Sequence, residues 1–295
     1  MSAASQLPLL YDDLVRRALL EDLGRAGDIT TDAILPAGHP GRAVLAARAA
    51  GRVAGLDPAL HAFRLLDPGS RVEVLQPDGS DVSGGDPIAR VDAPARVLLA
   101  AERTALNLLG HLSGIATVTR DVVARLHGLP TRVVATRKTT PGLRALEKHA
   151  VRVGGGGSHR YGLDDAVLVK DNHVALAGGI AEAVRRVRES VGHMVKVEVE
   201  VDTLVQLDEA LAAGVDAVLL DNMDPATLRE AVRRAKGRAI TEASGGIRPE
   251  TIRAVAETGV DVVSLGWLTH SAPSLDVALD VETGELAPLR SGPSL

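Results

Sequence analysis

Between Thr136 and Asn172 the sequence reads TRKTTPGLRALEKHAVRVGGGGSHRYGLDDAVLVKDN, and its basic residues are not spaced like those of a solvated helix face. Arg137 and Lys138 stand together at the end of one apolar run. His159 and Arg160 follow the glycine run Gly154 to Gly157, and Lys170 closes a second apolar run, Ala166 to Val169. Arginine offers a planar fork suited to carboxylate or phosphate, whereas lysine is a compact point charge. The group reads as a pocket for several negative charges at once. Thr139-Thr140-Pro141 reads as a helix start, whose free N–H groups can also take an anion. Four glycines in a row allow a ligand to approach the backbone closely, and equally fit a plain linker. The histidine and arginine that follow favour the site. Lys170 fits three roles: phosphate binder, desolvated amine nucleophile, or partner in a rim salt bridge.

Acidic residues form a second group. In Val197-Glu198-Val199-Glu200-Val201 both glutamates fall on one side of a strand, because side chains alternate. Strands of a parallel barrel are normally apolar on both faces, so these carboxylates must be paired or must hold a metal. Glu200 ranks with Asp221 as a candidate for Mg²⁺ or for sugar hydroxyls, ahead of the deeper Glu198. The structural alternative is neutralisation by Lys196 and Lys170. Ser244-Gly245-Gly246 and Leu265-Gly266-Trp267 follow two later strands and read as phosphate corners built from backbone N–H groups, or as tight turns. Arg103 reads as a solvated helix residue or an i,i+4 partner of Asn107.

These residues need elements to place them. Leu10, Leu14, Ala18 and Leu19 predict a helix ended by Gly24, and Gly27 to Thr31 a turn. Short β-like runs at 42–47, 72–75 and 88–91, separated by Pro, Gly and Asp, predict an antiparallel or mixed sheet. Residues 95–126 predict a long helix. From residue 130 the pattern alternates: strands at 132–135, 166–169, 195–201, 217–220, 239–241 and 260–264, with helices at 142–153, 180–191, 203–213, 225–235 and 249–258. Such alternation requires parallel strands with crossover helices. Ala213-Gly214-Val215-Asp216-Ala217-Val218 and Thr258-Gly259-Val260-Asp261-Val262-Val263 look like one corner used twice. Arg137, Lys138, Lys170, Asp221, Ser244 and Gly266 all follow strand ends. In a (β/α) barrel those ends share one mouth; an open doubly wound sheet gathers residues only near its switch point. Six strands predict an incomplete barrel, or one with strands hidden between Gly154 and Asp165. The tail from Ser271 predicts one short helix at 275–279 and a return to the N-terminal part.

Composition narrows the class. The 295 residues are 45% hydrophobic, with one Phe, one Trp and two Tyr. That leaves no aromatic platform for single-stranded nucleic acid. A net charge of −5 gives no general attraction to nucleic acid or acidic membranes. No cysteine means no disulfide or thiolate metal site. No apolar run approaches the roughly 20 residues of a membrane span, and no basic-then-apolar leader opens the sequence. A cytoplasmic protein is expected.

As a set, TRKTTPGLRALEKHAV, GGGGSHRYGLDDAVLVKDNH, VEVEVDTL, EASGGI and SLGWLTHSAPSLDVALD resemble the quinolinate phosphoribosyltransferase family, the decarboxylating nicotinate-nucleotide pyrophosphorylases. EDLGRAGDITTDAILP and AAERTALNLLGHLSGIAT resemble its N-terminal part, so the likeness runs from about Leu10 to about Leu279. The resemblance implies an α/β fold: an N-terminal α/β sandwich domain (1–112, joined by 273–295) and a partly open α/β barrel (113–272). It implies the reaction of quinolinate with phosphoribosyl pyrophosphate, with Mg²⁺, to nicotinate mononucleotide, pyrophosphate and CO₂. The counterparts of Arg137, His159 and Arg160 grip the acid, joined by that of Arg103 from a neighbouring subunit, which implies a homodimer or higher homo-oligomer. Those of Lys138 and Lys170 meet substrate anions, and Thr136 matches a threonine lining the site. Those of Glu200 and Asp221 serve ribose hydroxyls and metal. Those of Ser244, Gly245, Gly246, Leu265, Gly266 and Trp267 hold phosphate, with Trp267 bulkier than is common in the family. Rival readings are a paralogue of the type associated with molybdate uptake, a Schiff-base lyase using Lys170, and a non-enzymatic oxyanion binder.

Overall fold

The computed structural model describes residues 8–282. In chain order it begins with α1 (Asp12–Leu23), α2 (Ile29–Ile34), β1 (Pro40–Ala47), β2 (Gly51–Arg52) and α3 (Leu56–Leu66). There follow β3 (Arg71–Val74), β4 (Asp81–Val82), β5 (Pro87–Pro94) and α4 (Ala95–Arg125). Next come β6 (Arg132–Ala135), α5 (Arg144–Val153), β7 (Gly157–Ser158), β8 (Val167–Val169), α6 (Asp171–Ala177), α7 (Ile180–Ser190), β9 (Val197–Val201) and α8 (Leu204–Ala212). The chain ends with β10 (Ala217–Asp221), α9 (Pro225–Ala235), β11 (Ile240–Ser244), α10 (Ile252–Ala256), β12 (Val262–Leu265), α11 (Trp267–His270) and β13 (Val277–Val281). No described helix is long and apolar enough to cross a membrane.

The chain divides into two compact units. The first holds the described residues through Arg120, with Thr140–Gly155 and those from Ser271. Its four-stranded antiparallel sheet has the order β13-β1-β5-β3. Phe63, Leu45, Ile88, Leu98 and Leu109 are fully buried, an aliphatic core around the single phenylalanine. Leu56–Leu66, set in the stretch read as strands and turns, is helical, with Asp78 accepting from the N–H groups of Gly55 and Leu56 at its start. The expected turn at Gly27–Thr31 is instead the start of α2, where Asp28 accepts from the Thr31 N–H at 3.0 Å. The expected helix at 275–279 is wrong: Val277–Val281 is β13, paired antiparallel with β1. Five residues hold few helical hydrogen bonds of their own, so a free sheet edge decides their conformation. The predicted return segment beyond residue 282, like the leader stretch before residue 8, lies outside the described residues.

The second unit (Asp121–Thr139 and Gly156–His270) carries a seven-stranded parallel sheet of order β7-β6-β12-β11-β10-β9-β8. All six expected strands are present. The seventh, β7, lies partly in the glycine run, as the short count suggested. β7 and β8 are consecutive in the chain yet stand at opposite edges, so the sheet does not close. The fold is thus α/β, with an antiparallel-sheet unit and a partly open barrel.

The repeated corner is one device used twice. The Asp216 N–H donates to the Val197 carbonyl at 2.8 Å, and its carboxylate accepts the Val197 N–H at 2.9 Å. Asp261 makes the same reciprocal pair with Thr241, at 3.1 and 2.8 Å. Each aspartate therefore fixes the register at the start of an adjacent strand. Burial opposes the ionised form of Asp216, but Lys196, the Val197 N–H and Arg188 outweigh it and hold the pKa at about 2. With the folded value below the ordinary 3.8, this stabilisation is full above pH ~4 and is lost as pH falls toward 2, about 2 kcal/mol in all. Urea unfolding of Asp216→Asn should show lower stability at neutral pH and a shallower decline below pH 4. A wild-type acid limb in that variant would refute the role.

Candidate active site

Strand register puts the candidate residues on one face. Glu198 and Glu200 lie opposite Ala217 and Leu219, Leu219 opposite Glu242, and Asp221 opposite Ser244. The same set continues through Glu242 opposite Val262, Ser264 opposite Val134, Val134 opposite Gly157, and Leu168 opposite Glu198. Alternation then carries Thr136, His159, Lys170, Asp221, Ser244 and Gly266 onto that face at or just past the strand ends. Leu265 has the opposite parity and a buried side chain, so only its backbone can serve a ligand there.

The basic wall holds cations that oppose one another. The Arg160 pKa is lowered, first by burial and then by the nearby Arg137 guanidinium. Arg137 Nε is buried and makes no hydrogen bond. A buried donor left without a partner costs on the order of 1–3 kcal/mol, so this wall suits an anion. His159 Nε2 lies 2.7 Å from Glu198 Oε2 and 3.7 Å from Glu242 Oε2. Burial opposes charge on the imidazole, while the hydrogen bond to Glu198 and the charges of Glu242 and Glu198 raise its pKa. Glu242 is pushed up to about 7 by burial foremost and by the neighbouring Glu198 charge.

The structural alternative, neutralisation of the strand carboxylates by Lys196 and Lys170, holds only in part. Lys170 Nζ does meet Glu200 Oε2 at 2.8 Å, but Lys196 pairs with Asp216 rather than Glu198, whose partner is His159. Asp221 accepts from the Asn222 side chain at 2.6 Å. Glu200 and Asp221 offer hard oxygen donors, and the ammonium that covers Glu200 belongs to an exposed side chain able to swing away. The pair therefore fits Mg²⁺ completed by substrate oxygens. Among the described residues the one compact group with metal-ligand spacing is a different one, His159, Glu198 and Glu242, whose ligand atoms lie within 4.8 Å of one another.

Two corners close the mouth. Gly245 and Gly246 have φ of 88° and 60°, and a Cβ on Gly245 would come 2.9 Å from the Asn222 nitrogen and 2.2 Å from its Oδ1. A Cβ on Gly266 would meet Lys138 Cδ at 2.8 Å. Lys138 is further fixed by its N–H to Thr136 Oγ1 at 3.0 Å and by Thr269 Oγ1 donating to its carbonyl at 2.7 Å. Trp267 Nε1 donates to the Ile247 carbonyl at 3.0 Å, joining the two corners. The expected helix start at Thr139–Pro141 is corrected: α5 begins at Arg144, and the Thr140 N–H is taken by Glu147 at 3.1 Å. Arg103 lies in the first unit, exposed on α4.

Comparison with known proteins gives the family. Residues 115–280 match the model of the quinolinate phosphoribosyl transferase C-terminal domain, and residues 28–113 that of the N-terminal domain. The chain belongs to the quinolinate phosphoribosyltransferase family. It is 47% identical to a nicotinate-nucleotide pyrophosphorylase (carboxylating) of Mycobacterium leprae, over 91% of this chain and 96% of that one. It is 38% identical to a mitochondrial quinolinate phosphoribosyltransferase (decarboxylating) of Nicotiana tabacum, over 94% and 84%. A solved structure from Streptococcus pyogenes named NadC superposes with a TM-score of 0.90 at 40% identity, over 95% of this chain and all of that one.

Within this family frame, the second unit holds Thr136, Arg137, Lys138, His159, Arg160, Lys170, Glu200, Asp221 and both glycine corners at or just past its strand ends. Glu242 escaped the sequence reading because it stands singly in Ile240–Ser244. Its signal was positional, two residues before Ser244 and hence on the same face. The Gly245 contact yields a direct test. Gly245→Ala adds a Cβ against backbone at positive φ, and should cost about 1–3 kcal/mol in denaturant unfolding. Wild-type stability would show that the corner yields freely.

Proposed function

We propose that this chain transfers the phosphoribosyl group of phosphoribosyl pyrophosphate to quinolinate, giving nicotinate mononucleotide, pyrophosphate and CO₂ in de novo NAD biosynthesis. The observation that carries the reading is the Arg137–Arg160 pair, two mutually opposed guanidinium groups, of which Arg137 has a buried Nε–H that makes no hydrogen bond. One carboxylate does not require both. A ring bearing two adjacent carboxylates presents a charge to each. The family relatives support the same substrate.

Lys138 and Lys170 supply compact cations to phosphate oxygens. When an incoming pyrophosphate draws Lys170 away, Glu200 is released toward the ribose hydroxyls beside Asp221. Mg²⁺ belongs to the proposal: held by Glu200, Asp221 and substrate oxygens, it would offset charge on the departing pyrophosphate. Pyrophosphate departure leaves oxocarbenium-like charge on the ribose, which the two carboxylates stabilise. Ribosylation makes the pyridine nitrogen positive, so its charge stabilises the electron pair left on the adjacent ring carbon as the C–CO₂ bond breaks, and a proton from water then takes the place of CO₂ without a strong base. Catalysis is then mainly positioning and electrostatics. Arg103, exposed on α4, would reach the acid of a neighbouring subunit, which makes a homodimer the smallest active form. A cytoplasmic location completes the reading.

Incubation of the purified protein with quinolinate, phosphoribosyl pyrophosphate and Mg²⁺ should yield nicotinate mononucleotide. Turnover of nicotinate in place of quinolinate would overturn the assignment. Lys138→Ala and Glu200→Ala should each lower kcat by about 10²–10³-fold with little change in thermal midpoint. Near-normal turnover in either removes that residue from the mechanism. Mixing Arg103→Ala with Glu200→Ala protein should restore part of the activity, because a mixed dimer regains one complete site. No recovery after subunit exchange would refute a cross-subunit Arg103.

A further inference from the structure

Among the described residues Asn222 is the one non-glycine residue at positive φ, 53°. Side chains other than glycine rarely adopt that conformation, and it persists where the surroundings impose it. The place is tight. Residues 222–224 alone separate β10 from α9, and the Asn222 N–H donates to the Ser244 carbonyl at 2.9 Å, one step past the last β10–β11 pair, Asp221 with Ser244. The left-handed turn thus lets the chain leave the sheet while its amide still pairs.

The side chain faces two groups of the site. A carboxylate only accepts, so the nitrogen of the Asn222 amide turns to Asp221, whose Oδ2 it meets at 2.6 Å. Among the described residues this is the one hydrogen bond that the Asp221 carboxylate accepts. The oxygen end then turns to the glycine corner. A Cβ on Gly245 would lie 2.5 Å from Asn222 Cγ, and one on Gly246 would lie 3.9 Å from Asn222 Oδ1. A flat amide therefore fills the space between the carboxylate of β10 and the loop after β11.

We propose that Asn222 is a positioning residue that sets the reach of the sugar site: it holds the Asp221 carboxylate at a fixed distance from the Gly245–Gly246 corner, so that a five-carbon sugar phosphate is met through its hydroxyls and its phosphate together. This rests on the reading given above, in which Asp221 serves the ribose hydroxyls and the glycine corner holds phosphate. Hydroxyls and phosphate belong to one small ligand, so their separation is set by covalent bonds. Two weak contacts reinforce one another only when the protein holds matching groups at that separation. A carboxylate free to rotate would meet the hydroxyls only part of the time. Asn222 removes that freedom without touching substrate. The plain alternative is a turn residue, because asparagine tolerates the left-handed region better than most side chains. Glycine would fill that role at least as well.

Titration calorimetry separates the two roles, with ribose 5-phosphate and inorganic phosphate as probes, each with Mg²⁺, on wild type, Asn222→Gly and Asn222→Asp. Glycine keeps the φ and deletes the amide. Aspartate keeps the outline and replaces the donor with a carboxylate facing Asp221. Both variants should bind ribose 5-phosphate about 10-fold or more weakly, and inorganic phosphate within about twofold of wild type. In turnover, KM for phosphoribosyl pyrophosphate should rise by about 10-fold while KM for quinolinate stays unchanged. Wild-type affinity for ribose 5-phosphate in the glycine variant would reduce Asn222 to a turn residue and overturn the proposal. An equal loss for both probes would also overturn it, since that marks a collapsed corner, as would a wild type that does not bind ribose 5-phosphate. Should the glycine variant lose its thermal unfolding transition, the aspartate variant decides. If wild type binds ribose 5-phosphate but does not turn over quinolinate, the assigned reaction falls, while the titrations still read Asn222.

Discussion

The second unit depends on holding like charges together. Two unit charges about 4 Å apart repel by about 4 kcal/mol at a protein-like effective dielectric, so a wall with Arg137 beside Arg160 is stable only if something beneath offsets it. The offset is built into the strands. Glu198 and Glu242 lie one layer below the basic wall, and Glu200 lies under Lys170. Placing the acids against His159 and Lys170 leaves the buried Nε–H of Arg137 without a protein partner, a demand that an anion can meet. The raised pKa of Glu242 is the cost of this layering: the floor carries more negative charge than it can keep ionised.

The two ends of the sheet divide the work. At the strand starts, Asp216 and Asp261 are fully committed to structure, each closing a reciprocal pair with a neighbouring strand. At the strand ends, Arg137 Nε makes no hydrogen bond and Asn222 sits at positive φ. Reciprocal stabilising bonds are made at the strand starts, and unmet hydrogen-bonding capacity is left at the mouth. That is the usual polarity of a barrel enzyme, reached here with an open seam between β7 and β8.

Most of the frame was legible because it follows from period and punctuation. Strands buried on both faces read as apolar runs, and alternation alone places Glu198 and Glu200 on one side. What was not legible depended on partners distant in sequence. Val277–Val281 takes its conformation from the edge of β1, and β7 is stabilised by β6 despite its glycine. The structural alternative in which Lys196 neutralises a strand glutamate fails because Lys196 reaches Asp216 across the corner. Glu242 opens the EASGGI stretch but was not marked as a site residue, and register with Leu219 and Glu200 reveals its place. The basic stretch from Thr136 to Lys170 was visible as chemistry, but not that Thr140–Gly155 within it belongs to the other unit.

Trp267 shows how the two kinds of recognition differ. Its bulk suggested a narrowed phosphate corner, yet its indole N–H spans to Ile247 and braces the loop after β11 against that after β12. On the proposed reading, phosphate is met largely by backbone N–H groups of Gly245, Gly246 and Gly266. Glycine has the greatest conformational entropy to lose on ordering. Backbone recognition therefore needs a brace, and the Trp267 indole supplies one. The acid is met by side chains, whose aim depends on what lies beneath them. Changes in the acid accepted should thus arise in the floor and the arginines, while the phosphate corner tolerates little beyond a change of brace.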